Sequence, residues 1–223
     1  MCRWNTTESY CKVALKAEAK LARLKSMNHT INTMNTTIPK LTFAQYLTYD
    51  NGTDNRYELV QGQLKLMNPP TLLHIRIAKF LERQFDLEIE RLGYPWEAFR
   101  EVGQQTGEDS ARLPDVLIVL LEVAETLMDC SAVLQVPSLL VVEIVSPSSS
   151  GDDYKEKLGE YQALGIPEYW VVNPESKRDK RVTVHQLENK VYQKQEFRGG
   201  ERIISATFPD LNLTAEQVLR VKL

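Results

Sequence analysis

The chain reads as an α/β or α+β protein, a mixed β-sheet with helices packed on it, and three observations lead there. Residues 113–120 (LPDVLIVL), 138–145 (SLLVVEIV) and 168–173 (EYWVVN) are short apolar runs, the pattern of buried strands. Stretches of helical periodicity separate strand-like segments, a long one at 71–93 and a shorter one at 154–164. After residue 180 the pattern alternates in RVTVHQL, KVYQKQEF and RIIS, which predicts a C-terminal β-meander.

Taken in order, KVALKAEAKLARLK (12–25) is a basic amphipathic helix, suited to a membrane surface or lying outside the folded domain altogether. Met34 opens MNTTIPKLTFAQYL, which reads like a natural start, so residues 1–33 are expected to be an upstream extension, disordered or helical, and 34–223 the domain. LTFAQYL (41–47) predicts a short helix. RYELVQGQLKLM (56–67) predicts two strands turning at Gln61-Gly62. TLLHIRIAKFLERQFDLEIERLG (71–93) predicts a helix closed by Gly93 and Pro95. WEAFREVGQQ predicts a single strand ahead of LPDVLIVL. A loop, SPSSSGDD, leads from SLLVVEIV to the helix YKEKLGEYQAL, which Gly165 and Pro167 close.

Composition narrows the function. The 27 basic and 30 acidic residues give a net charge of −3, which argues against an open basic surface for indiscriminate nucleic-acid binding. The balance is uneven: residues 1–33 carry +4 and the remaining 190 carry −7. Cys2, Cys11 and Cys130 offer neither a disulfide framework nor a zinc or redox spacing, so a reducing, cytoplasmic setting is expected. No apolar run approaches the length of a membrane span. A phosphate-cradling glycine loop and a G-x-S-x-G elbow are both missing from the sequence. So is the aromatic platform or recognisably spaced acid pair of a glycosidase.

Glu143 is the anomaly. A carboxylate inside LLVVEIVS is badly desolvated unless a cation or hydrogen-bond donors compensate it. Strand geometry puts Val141, Glu143 and Val145 on one face and Leu140, Val142 and Ile144 on the other. Asp115 stands where the strand PDVLIVL begins, behind a proline. Two strands each delivering one carboxylate can hold a divalent cation through hard oxygen ligands; alternatively either acid pairs with an arginine such as Arg112. Asp153, Lys157 and Tyr161 recur at i, i+4 and i+8, so Lys157 faces the sheet as an ion-pair or catalytic cation, unless it only pairs with Asp153 at the surface. His74 opens the row His74, Ala78, Leu81, Phe85 and is either structural or catalytic. Glu58 sits in the apolar strand of the hairpin. His185 and His29 have no partners in sequence. The basic run from Lys177 to Arg181 is either a solvated loop or a phosphate contact.

RYELVQGQL, His74 opening a long helix, LPDVLIVL, PSLLVVEIVSPSS, the Asp153/Lys157/Tyr161 row and GIPEYWVVNP follow one another in this order. Together they resemble the Uma-two-type family of putative restriction endonucleases, within the PD-(D/E)xK nuclease superfamily, over roughly residues 40 to 215. The resemblance implies a restriction-endonuclease-like core, with a central mixed sheet flanked by helices and commonly built as a homodimer. It aligns Asp115 with the acid of the PD motif and Glu143 with that of the (D/E)xK motif. Val145 stands where that motif carries lysine, and Lys157 on the next helix takes its place. Glu58 matches an additional upstream acid, His74 the family's helix histidine, and Asn173 replaces a common aspartate outside the metal site.

The resulting expectation is a Mg²⁺-dependent endonuclease acting on duplex DNA, with Mn²⁺ as a substitute. Asp115, Glu143 and Glu58 would form the metal set, with Lys157 and His74 as further catalytic groups. The competing expectation is a catalytically silent dimer of the same fold that binds DNA or protein, favoured by the −7 domain and the displaced lysine.

Overall fold

The computed structural model describes residues 40–146, 151–175 and 179–220, without the side chains of 151–153. These residues belong to one compact unit, Lys40–Leu223. The basic helix at 12–25, the start at Met34, most of the serine loop, the Asp153 side chain, Lys177 and Arg178 lie outside the described residues.

Helix α1 (Phe43–Leu47) begins with a reciprocal cap between Thr42 and Gln45. It packs Phe43, Tyr46 and Leu47 over Leu59, Ala111 and Val133. Strands β1 (Tyr57–Val60) and β2 (Gln63–Leu66) form the expected hairpin. Gln61 and Gly62 both take positive φ, 50° and 82°, the two-residue turn whose twist suits a hairpin. A Cβ on Gly62 would stand 3.0 Å from the Lys40 Cβ and at a strained positive φ, so any larger residue would crowd the crossing chain. Helix α2 (Leu72–Leu92) is capped by Thr71 and closed by Gly93 at φ 65°; it buries Ile77, Ala78, Leu81, Phe85 and Ile89 along one stripe.

The strand expected over 96–105 is two strands, β3 (Trp96–Phe99) and β4 (Gly103–Gly107), and they enter different sheets. Glu101, at φ 70°, turns the backbone between them, a local feature that apolar periodicity does not register. Strand β5 (Ser110–Arg112) follows, and the chain changes sheets again through Leu113 and Pro114 to reach β6 (Val116–Leu120). After α3 (Leu121–Glu125), β7 (Val133–Leu134) and the wholly buried β8 (Leu140–Ile144), helix α4 (Gly151–Leu164) crosses over to β9 (Glu168–Asn173), parallel to β8. Strands β10 (Arg181–Glu188) and β11 (Val191–Phe197) complete the meander, and α5 (Ala215–Leu219) ends the fold. RIIS does not extend that meander, because only Arg202 makes a bridge, to Thr214.

The architecture is therefore mixed α+β with two mixed sheets: β11-β10-β9-β8-β6-β3 and β2-β1-β5-β4-β7. The expected central sheet corresponds to the six-stranded one. On one of its faces Leu140, Val142 and Ile144 join the stripe of α2, with Phe85 packed edge-on to Trp170 and stacked on Phe208. On the other, Val141 packs with Leu117, Tyr161 and Tyr169 beneath α4. The alternation along β8 thus places Glu143 on the α4 face.

Candidate active site

Asp115 and Glu143 become neighbours because β6 and β8 pair antiparallel with Val116 opposite Val142. The Asp115 backbone N–H donates to Val142 O at 3.1 Å, and the Ile144 N–H donates to Asp115 Oδ2 at 2.7 Å. The other carboxylate oxygen of Asp115 lies 2.7 Å from His74 Nε2, at the first turn of α2. Burial disfavours a charged His74, but the bond to Asp115, with help from Glu143 and Glu175, outweighs it and raises the histidine pKa. His74 Nδ1 is buried with no hydrogen-bond partner among the described residues.

The remaining acids and Lys157 form a second group. Lys157 is only 5% exposed and reaches inward from α4. Its ammonium stands 3.0 Å from Glu143 Oε2 and 3.0 Å from Glu58 Oε1, so it is shared by carboxylates from both sheets. Tyr161, one turn further along α4, donates to Glu143 Oε1 at 2.8 Å. Glu58 also receives the Leu113 N–H at 3.3 Å and Arg112 Nη1 at 3.2 Å.

The charges balance unequally. Burial pushes the Glu143 carboxyl up to about 7; Lys157 opposes this, whereas repulsion from Asp115 and Glu58 adds to it. Burial works the same way on Glu58, but the attraction of Lys157 and Arg112 wins and holds its pKa below the ordinary carboxylate value. Burial and the Glu143 charge push the Tyr161 phenol up, so it stays a protonated donor.

Among the residues singled out from sequence, His74 meets Asp115, and Lys157 meets Glu143 and Glu58, with Tyr161 alongside. Arg112, named from sequence as a partner that could neutralise one of the two strand acids, finds carboxylates on β1 and α4. It is fully buried and pairs with Glu58 and Glu160. Sequence reasoning missed Glu160. The available signal was its position three residues after Lys157, which puts both on one face of α4. Other candidates lie elsewhere: His185 stacks on Tyr169, Arg181 pairs with Asp179 and Glu196, and Asn173 accepts the Glu175 N–H in a local turn.

Asp115 and Glu143 are hard oxygen donors whose mutual repulsion a cation would relieve, which fits a divalent ion such as Mg²⁺. Among the described residues no group of three or more His, Cys, Asp and Glu side chains is arranged to hold a metal. The fit is therefore to an ion held by one or two carboxylates and otherwise by water and substrate oxygens, the usual habit of Mg²⁺. No helix among the described residues is long and apolar enough to cross a membrane.

No curated protein matches the chain. A solved structure of a putative nuclease belonging to DUF820, from Anabaena variabilis, matches with a TM-score of 0.66 and 15% identity, covering 80% of this chain and 97% of its own. At that identity the likeness shows the fold. A family model, Uma2, described as putative restriction endonuclease, matches residues 43–216, which span the hairpin, the two candidate acids and helix α4. The chain belongs to the Uma2 family of putative restriction endonucleases.

Proposed function

We propose that the protein is a divalent-metal-dependent endonuclease that hydrolyses phosphodiester bonds of duplex DNA. The observation that carries this reading is Lys157, 3.0 Å from both Glu143 and Glu58 and beside the Asp115–Glu143 pair, although the lysine comes from a helix. Asp115 and Glu143 would hold Mg²⁺, or Mn²⁺ in its place, and Glu58 would reach the ion through water while anchoring Lys157. The cation would supply charge for the scissile phosphate and acidify a water molecule.

The chain's own groups do the rest. Lys157 presents a fixed positive charge to the phosphate oxygens as negative charge builds on them. Tyr161 holds one Glu143 oxygen in place, leaving its orientation set before substrate arrives. His74 is oriented through Nε2 by Asp115, and its partly exposed ring would bring a positive charge toward the phosphate or assist proton transfer.

The test is cleavage of duplex DNA by purified protein with Mg²⁺ or Mn²⁺. Asp115→Ala and Glu143→Ala are each expected to lower cleavage by about a thousandfold, as loss of a charge-stabilising group in a site does. A wild type that cuts no DNA with either ion, or variants that cut equally well, overturns the reading. The close mutual pairing of Glu143 and Lys157 favours a second reading, a silent DNA- or protein-binding module. Calorimetric titration separates the two, because that module shows no Mn²⁺ binding dependent on Asp115.

A further inference from the structure

A lysine on the same strand as its carboxylate has its position set by the sheet's own hydrogen-bond ladder. A lysine on a helix does not, because one residue of slippage turns a side chain by about 100° around the axis. Val145 occupies the strand position here and Lys157 sits on α4, so something outside the sheet ladder has to set the helix rotation. Three groups on one face of α4 supply contacts: Lys157, Glu160 and Tyr161, at i, i+3 and i+4. Lys157 and Tyr161 are the side chains that need placing. Glu160 is not aimed at Glu143 at all.

Glu160 takes two parallel hydrogen bonds from Arg112, at 2.7 Å from Nε to Oε2 and 2.6 Å from Nη2 to Oε1. Thr106 on β4 donates to the same Oε2 at 2.8 Å. The planar guanidinium enforces both distance and angle, which a single ammonium contact would not. Arg112 is fully buried at the end of β5, so its own position is held on every side. Its third arm reaches Glu58, and Asp115 lies three residues further along the same segment. One side chain therefore joins the helix that carries Lys157 to the strand that carries Glu58 and to the chain that carries Asp115.

We propose that the Arg112–Glu160 fork is a positioning device that sets the rotation of α4, so that Lys157 falls between Glu143 and Glu58. This rests on the nuclease reading for its catalytic consequence, and on geometry alone for its structural one. Neither residue touches substrate; both act through Lys157.

The test compares Glu160→Ala with Glu156→Ala. Glu156 is on the same helix, carries the same charge and is 3.5 Å from Arg112 Nη2, but it is largely exposed and outside the fork. With Mg²⁺ and duplex DNA, Glu160→Ala is expected to lower kcat by about tenfold to a hundredfold, the cost of a misplaced group, with KM held within about twofold. Glu156→Ala keeps kcat within about twofold of wild type. Arg112→Lys, which keeps the charge and loses the fork, reproduces the Glu160→Ala loss. A second readout needs no activity: hydrogen exchange of the α4 amides from Lys157 to Tyr161 is expected to be faster in Glu160→Ala than in Glu156→Ala. Equal kcat in the two alanine variants, or a change confined to KM, overturns the proposal. If the wild type cuts nothing, the nuclease reading falls, and the fork is judged on exchange alone. Equal exchange in the two variants then overturns it.

Discussion

The candidate site has two arms that differ in how they meet solvent. In the His74–Asp115 arm the side chains keep 15% and 18% of their surface exposed, although the unpartnered ring nitrogen of His74 is itself buried. In the other arm, Arg112, Glu58, Lys157 and Glu143 are almost wholly buried and satisfy one another. Taking charges out of water is costly, and such a group holds only if each member stays paired. The buried arm is thus suited to setting geometry and charge in advance, and the open arm to meeting a substrate. A residue such as Glu143 belongs to both, since it lies on the strand beside Asp115 and ends at Lys157.

Three experiments break or sharpen this contrast. The largest effect is expected from Arg112→Ala, which leaves Glu58 and Glu160 without their guanidinium. Unfolding by denaturant should show a loss of about 3–5 kcal/mol, the range for breaking one side of a buried pair. A loss under about 1 kcal/mol would show that the buried arm is no more coupled than a surface ion pair.

Next comes pH. Glu143 titrates at about 7 in the folded protein against an ordinary value of 4.5, so the folded state holds a proton that the unfolded chain has released between those values. The stability this contributes is complete below 4.5 and is lost as pH rises to about 7. The slope is at most about 1.4 kcal/mol per pH unit, and it acts against the usual carboxylates such as Glu58. The difference in unfolding free energy between wild type and Glu143→Gln, measured without metal across pH 4.5 to 8, should fall and then level off. Mn²⁺ binding by the wild type should strengthen over the same range, because the ion displaces that proton. A pH-independent difference would place Glu143 outside the titrating group.

The smallest stability effect is expected in the open arm. His74→Gln should change unfolding free energy by no more than about 1 kcal/mol, since its partner remains partly solvated. Cleavage should nevertheless drop by about a hundredfold, as for a lost acid–base group. A large stability loss with unchanged cleavage would reverse the roles assigned to the two arms.

Much of the secondary structure was legible in the order of residues. The Gln61-Gly62 turn, the closure of α2 at Gly93, and the faces of β8 follow from preferences acting over a few residues. The acids at 58, 115 and 143 were visible as charges in apolar surroundings. The division of residues 96–105 between two sheets was not, because it turns on the backbone at Glu101 and on strand partners distant in sequence.

The partnerships of the site were the least legible. Arg112 sits 48 residues from Glu160 and 54 from Glu58, and nothing near it in sequence announces either. The chain order alone established the local elements, the α+β class and a short list of ionisable groups in the wrong surroundings. Tertiary structure decided which of those groups meet: Asp115 with His74, Lys157 between two glutamates, and Arg112 behind them. Local preferences are set by neighbouring backbone and side chains, whereas the partner of a buried charge is chosen only once the sheets and α4 close around it.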